Sequence, residues 1–133
     1  MEQQQAGTAI AAFRHYAQAF QSLNPKAVAQ YFNQPSLMIT PQGVLAFITA
    51  ADVEQAYARV MAELPARGYS RTEFSPLVER RLGEDLAVVT GRGVWKTATG
   101  DELSHFGLTY TLHRSSETWH IVIAAILESD LSQ

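Results

Sequence analysis

Tyr16, Arg92 and His105 are the side chains in this sequence whose types and settings suit chemistry. Tyr16 falls on the inward stripe of an expected helix. There a phenolic O–H donates to a ligand carbonyl at the base of a cavity, or reaches a backbone carbonyl as an ordinary core tyrosine. His105 sits between Ser104 and Phe106 in an alternating run, so its imidazole reads as a proton shuttle at a pocket mouth or as an outward histidine on an association surface. Arg92 stands in mid-strand between Gly91 and Gly93, where a guanidinium grips an anionic ligand or lies exposed on a sheet face. The two glycines leave room for a cavity below Trp95 or for close packing against another sheet.

Other chemistries find little support. The four histidines, His15, His105, His113 and His120, show no metal-ligand spacing. His105 and His113 share a strand face but stand about 26 Å apart at ~3.3 Å per residue. His15 adjoins Tyr16 but lies about 100° around the helix. There is no cysteine, which removes thiolate metal sites, disulfides and cysteine nucleophiles. Asp101 and Glu102, Glu84 and Asp85, and Asp52 and Glu54 belong to turns or a helix start, and no phosphate loop or serine elbow is present. No metal or cofactor is expected. A formal charge of -3 offers no basic surface for nucleic acid. The N-terminus lacks the charge pattern of a signal peptide, and no apolar run approaches the ~20 residues of a membrane span. The expectation is a cytoplasmic protein with no membrane partner.

These residues need elements to position them. At 133 residues, 47% hydrophobic and 17% charged, the chain is expected to fold as one domain over residues 1–133 around one core. Ile10, Phe13, Tyr16, Phe20 and Leu23 recur at helical spacing. Asn24-Pro25 caps a short second helix with the stripe Ala27, Val28, Tyr31, Phe32, ending near Asn33 and Pro35. A hairpin, 36–40 and 44–48, turns at Pro41-Gln42-Gly43. Thr49 with Asp52 starts a third helix whose stripe is Val53, Ala56, Tyr57, Val60, Met61 and Leu64, stopped by Pro65 and Gly68. Four strands follow, near 69–82, 86–97, 103–114 and 118–127. Pro76 implies a bulge or an edge. In the third of these strands Phe106, Leu108, Tyr110 and Leu112 face one way, and His105, Gly107, Thr109, Thr111 and His113 the other.

Phe13-Arg14-His15-Tyr16, the stretch from Ala27 to Phe32, Leu86-Ala87-Val88-Val89-Thr90-Gly91-Arg92 and Trp119-His120-Ile121-Val122 resemble the nuclear-transport-factor-two-like, or SnoaL-like, superfamily across nearly the whole chain. Tyr31-Phe32-Asn33-Gln34-Pro35 before the hairpin is similar to an uncharacterised bacterial group within it. The resemblance implies an α+β, cone-shaped roll: three helices in the N-terminal half packed on a curved, mainly antiparallel sheet of about six strands. Set against ketosteroid isomerase of that superfamily, the oxyanion-donating tyrosine falls on Tyr16, while the general base falls on Thr40 and the protonated acid on Ser104. Neither hydroxyl replaces a carboxylate that must take up a carbon-bound proton, so that reaction is disfavoured.

The expected function is therefore a pocket for a small apolar or carbonyl-bearing molecule. Tyr16, Phe20, Tyr57, Trp95, Phe106 and Tyr110 are its walls, Thr40 and Ser104 its polar contacts, and Arg92 and His105 are further polar candidates. The first alternative is a dehydratase, isomerase or cyclase using Tyr16 with His105 or Arg92. The second is a ligand-free module that forms a homodimer through the threonine-rich outer sheet face at Thr109 and Thr111.

Overall fold

The computed structural model describes residues 8–128. The elements run α1 (Ala9–Gln21), α2 (Pro25–Ala29), β1 (Phe32–Thr40), β2 (Gly43–Phe47), α3 (Ala50–Glu63), a 3₁₀ turn (Pro65–Arg67), β3 (Tyr69–Arg81), β4 (Leu86–Thr97), β5 (Glu102–Ser115) and β6 (Thr118–Glu128). The strands form one sheet in the order β2-β1-β6-β5-β4-β3. Every neighbouring pair is antiparallel except β1 and β6, which run parallel. The sheet is therefore mixed. Two helices precede the sheet and the third interrupts it after the first hairpin. No helix among the described residues is long and apolar enough to cross a membrane.

Local chemistry explains most boundaries. Thr8 accepts a hydrogen bond from the Ala11 amide at 3.1 Å and starts α1, and Asn24 does the same for Ala27 before Pro25. Asp52 takes the Thr49 and Ile48 amides at 3.1 and 2.8 Å, which anchors the start of α3. Gly68 adopts φ +87° after the 3₁₀ turn, a left-handed conformation that suits glycine. The second helix is shorter than its stripe implied, because Phe32 already belongs to β1 and pairs with Ile121.

One sheet face carries the core. Phe13 and Tyr16 of α1, Val28 of α2 and Val53, Tyr57 and Met61 of α3 bury against Val89, Leu108, Tyr110, Leu112 and Ile121. Phe13 meets Phe74 and Tyr110 edge-on at 5.3 and 5.1 Å between ring centres. Val60, expected in this stripe, is exposed instead. Glu79 reaches from β3 to accept the Ile10 amide at 3.0 Å, so the sheet itself holds the first turn of α1.

The β3 edge is irregular at Pro76, where the pairing with β4 shifts between Phe74 and Leu77. The chain thus satisfies both readings of that proline, a bulge and an edge strand. The bulge explains Gly91: a Cβ there would overlap the Pro76 carbonyl oxygen and come 2.8 Å from Leu77 Cδ2. Gly91→Ala is expected to lower the unfolding free energy by about 1–3 kcal/mol, read as an earlier urea midpoint. Gly107→Ala is the control, because its Cβ would rest 3.5 Å from Leu127 in ordinary contact.

Candidate functional site

Between the helices and the sheet lies a cavity of about 270 Å³. The structure brings all eight expected wall and contact residues to it: Tyr16 and Phe20 from α1, Thr40 from β1, Tyr57 from α3, Trp95 from β4, and Ser104, Phe106 and Tyr110 from β5. Strand register explains how β4 and β5 contribute. Trp95 pairs with Ser104, and Phe106 and Tyr110 follow at two-residue steps, so all four project to the helix side.

The same register removes Arg92 and His105 from the cavity. Arg92 pairs with Gly107 and His105 with Val94, on the opposite sheet face, and both side chains are exposed. His105 Nε2 instead meets Glu102 at 2.6 Å, three residues away. Gly93 is occupied by close packing, since a Cβ would overlap the Phe106 ring. That absence lets the far edge of the ring approach the β4 backbone, where it forms part of the cavity wall.

At the base, three phenols converge. The Tyr16 hydroxyl lies 2.9 Å from that of Tyr57 and 2.8 Å from that of Tyr110, and the three residues are 6%, 4% and 3% exposed. Tyr16 thus finds hydroxyl partners rather than the backbone carbonyl expected of a core tyrosine. Burial, first, and the neighbouring phenols push all three pKa values well above the ordinary 10.0. The rings stay neutral donors across the working pH range. Higher up, Trp95 stacks on Phe20 with ring centres 5.9 Å apart and planes at 21°, while the Arg67 guanidinium lies 5.9 Å from the indole centre. Phe106 approaches the same indole edge-on at 5.9 Å.

The mouth is marked by lining residues that are also exposed: Pro41 and Gln42 of the β1–β2 turn and Val60 of α3. Thr40 Oγ1 donates to Gln42 Oε1 and accepts from its amide, both at 3.2 Å, which folds the turn against the opening. Phe13, Ala17, Met38, Thr72, Phe74, Leu108 and Ile126 complete the wall. Of these, Leu108 was implied by its alternation with Phe106 and Tyr110, and Phe13 by its place on the α1 stripe. Thr72 and Phe74 precede a bulge and carried no such signal. Among the described residues, no aspartate, glutamate, histidine, lysine or arginine lines the cavity, and none form a cluster suited to a metal ion.

Residues 5–129 match the family model described as NTF2-like protein (DUF6841). Among curated proteins, none matches. Similar solved structures include an NTF2-like protein with a cystatin-like fold from Novosphingobium aromaticivorans, 15% identical, covering 90% of this chain and 79% of that one at a TM-score of 0.74. A protein of unknown function with a cystatin-like fold from Nostoc punctiforme is 9% identical over 88% of this chain and 85% of that one, at 0.70. A putative calcium/calmodulin-dependent protein kinase type II association domain from Thiobacillus denitrificans is 15% identical over 90% and 93%, at 0.73. At these identities the likeness establishes the fold and nothing of the chemistry.

The phenol cluster predicts how stability depends on pH. Below pH 10 the three side chains are neutral in both the folded and unfolded chain and contribute no dependence. Above it, the unfolded chain releases protons that the folded chain retains, so stability falls as pH rises, by up to about 1.4 kcal/mol per pH unit for each residue. The melting temperature is expected to drop between pH 9.5 and 11.5. The triple variant Tyr16→Phe, Tyr57→Phe, Tyr110→Phe should show a shallower slope; equal slopes would contradict the assignment.

Proposed function

The chain belongs to the NTF2-like family DUF6841, and from that premise we propose that its cavity binds a small, neutral, largely apolar molecule through one acceptor oxygen of the carbonyl type. The observation that carries this reading is the proton count at the cavity base. Three phenols own three protons, and the two hydrogen bonds centred on Tyr16 use two of them. The third proton is left with the weaker contact between Tyr57 and Tyr110. A buried donor without a good partner costs about 1–3 kcal/mol, so an acceptor entering the cavity gains that bond. The acceptor is neutral because no cation lines the wall, and a carboxylate would lose its hydration without a compensating charge.

Size and shape support the same class. About 270 Å³ lies just below the usual range of small-molecule sites, and the flat surfaces of Trp95, Phe20 and Phe106 suit a planar body. Thr40, Ser104 and Gln42 would orient its outer end. The alternative enzyme needs a proton acceptor at the wall. His105, the one candidate able to accept a proton, lies on the other face with Arg92, the candidate anion grip, and a phenol held neutral is a poor base.

The experiment compares 2-acetylnaphthalene with 2-ethylnaphthalene, which share a planar body but differ in the carbonyl. The ketone is expected to bind more tightly, by about fivefold or more, near 1 kcal/mol, and the triple variant Tyr16→Phe, Tyr57→Phe, Tyr110→Phe should cancel the difference. Equal affinity of both compounds for the natural chain would refute the role of the phenols.

A second proposal concerns association. The outer sheet face presents Leu37, Ile39, Val88, Thr109, Thr111, Ile123 and Leu127, whose strand partners place them on one side away from the helices. The β1, β6 and β5 part of this face, apolar and hydroxyl-rich, suits a two-fold pair of chains, while Arg92 of β4 and His105 near the start of β5 stand on the same face. The similar Thiobacillus denitrificans structure, a putative kinase association domain, is in keeping with assembly on this fold. Thr109→Arg is expected to convert a dimer to a monomer in sedimentation velocity; an unchanged dimer would exclude this face.

A further inference from the structure

No charged residue stands between Lys26 and Asp52. That stretch folds into the β1–β2 hairpin, and β2 is one free edge of the sheet. Half of the large apolar side chains that the described residues expose lie in or just after this hairpin: Leu37, Ile39, Val44, Leu45 and Ile48. Val44 and Leu45 are adjacent on β2, so they point to opposite faces, yet they are 63% and 52% exposed, and Ile48 beyond them is 63% exposed.

The other edge is built differently. β3 carries Arg71, Glu73, Glu79, Arg80 and Arg81 together with Pro76 and its bulge. Charges, proline and bulges are the devices that keep an edge strand from pairing. The molecule protects one edge and leaves the other bare. We infer that the β2 edge is an association surface at which a second copy of this chain adds its own β2 in the plane of the sheet.

The geometry selects both the mode and the partner. A body resting on the outer face covers Val44 and leaves Leu45 in water. Only a strand added in plane reaches both side chains and also takes up the free backbone N–H and C=O groups of the edge. The formal charge of -3 makes two copies repel, and the uncharged hairpin is where they approach with least cost. A two-fold axis through Leu45 sets β2 antiparallel to itself. Val44 then faces the second copy's Ala46, and Gly43 faces its Phe47. The absence of basic residues over 27–51 makes this a poor surface for an anionic membrane. A five-residue edge buries far less than the ~800 Å² per partner of a stable dimer, so the pair is weak and concentration-dependent.

The test uses Thr109→Arg as background, so that outer-face association does not contribute. Sedimentation equilibrium of that variant should show mass rising with concentration to a plateau at twice the monomer. Adding Leu45→Lys, which sets two ammonium groups opposite each other, should weaken the pairing about tenfold or more. Hydrogen exchange on the natural chain should slow in 43–47 from dilute to concentrated samples, with 71–75 of β3 unchanged. A monomer at every concentration, growth without a plateau, or equal association with Leu45→Lys would overturn the inference. A cooperative melt of the double variant confirms that it is folded.

Discussion

The hydroxyl of Tyr16 bonds at once to α3 and β5 through Tyr57 and Tyr110, and this buried junction constrains what surrounds it. Three elements distant in the chain must hold three oxygens within about 3 Å, or a phenol is left in an apolar interior without a partner. Aromatic rings set that spacing. Phe13 wedges between Tyr16 and Tyr110 at 5.6 and 5.1 Å, and Phe32 packs against Tyr16 and Tyr57 at 5.8 and 5.7 Å. The rings that stiffen the base also exclude water from it, which is why the phenol pKa values rise.

Backbone features at the sheet shape the wall above that base. Gly93 accepts the far edge of the Phe106 ring, so the aromatic wall of β5 packs close to β4. Gly91 accepts the β3 bulge at Pro76, after which Leu77 resumes pairing. Glu79, beyond that bulge, can then reach the Ile10 amide. A proline at an edge, a glycine opposite it and a carboxylate at a helix start thereby act together to orient α1, the helix that carries Tyr16 and Phe20.

Much of this was legible in the sequence because it is written in local periods. The 3.6-residue stripe of α1 placed Tyr16 and Phe20 inward, and the two-residue alternation of β5 placed Phe106 and Tyr110 together. The mutual bonding of the phenols was not legible, since Tyr16 lies 41 and 94 residues from its partners and no local pattern encodes such a meeting. Arg92 was ambiguous for a physical reason. Flanked by glycines, it sits where no side-chain contrast marks the two faces, and only the pairing of Gly93 with Phe106 resolves them. Val60 fits the helical stripe of α3, yet the wall it was expected to join opens there as the cavity mouth.

A wall whose described residues carry no charged side chain limits chemistry and selectivity in one direction. Phenols pushed toward higher pKa lend a proton in a hydrogen bond without giving it up, and no base stands by to receive one. Such a site stabilises a neutral oxygen acceptor and penalises a carboxylate, which would arrive stripped of water with no cation to meet it. On the proposed reading, discrimination comes from the phenol donors: an apolar body lacking the oxygen fits the same walls but offers them no acceptor. Polar groups buried for a ligand reject the analogue that fails to satisfy them more strongly than apolar walls reject a difference in size. On the proposed reading, the cavity reads one oxygen on an otherwise apolar body.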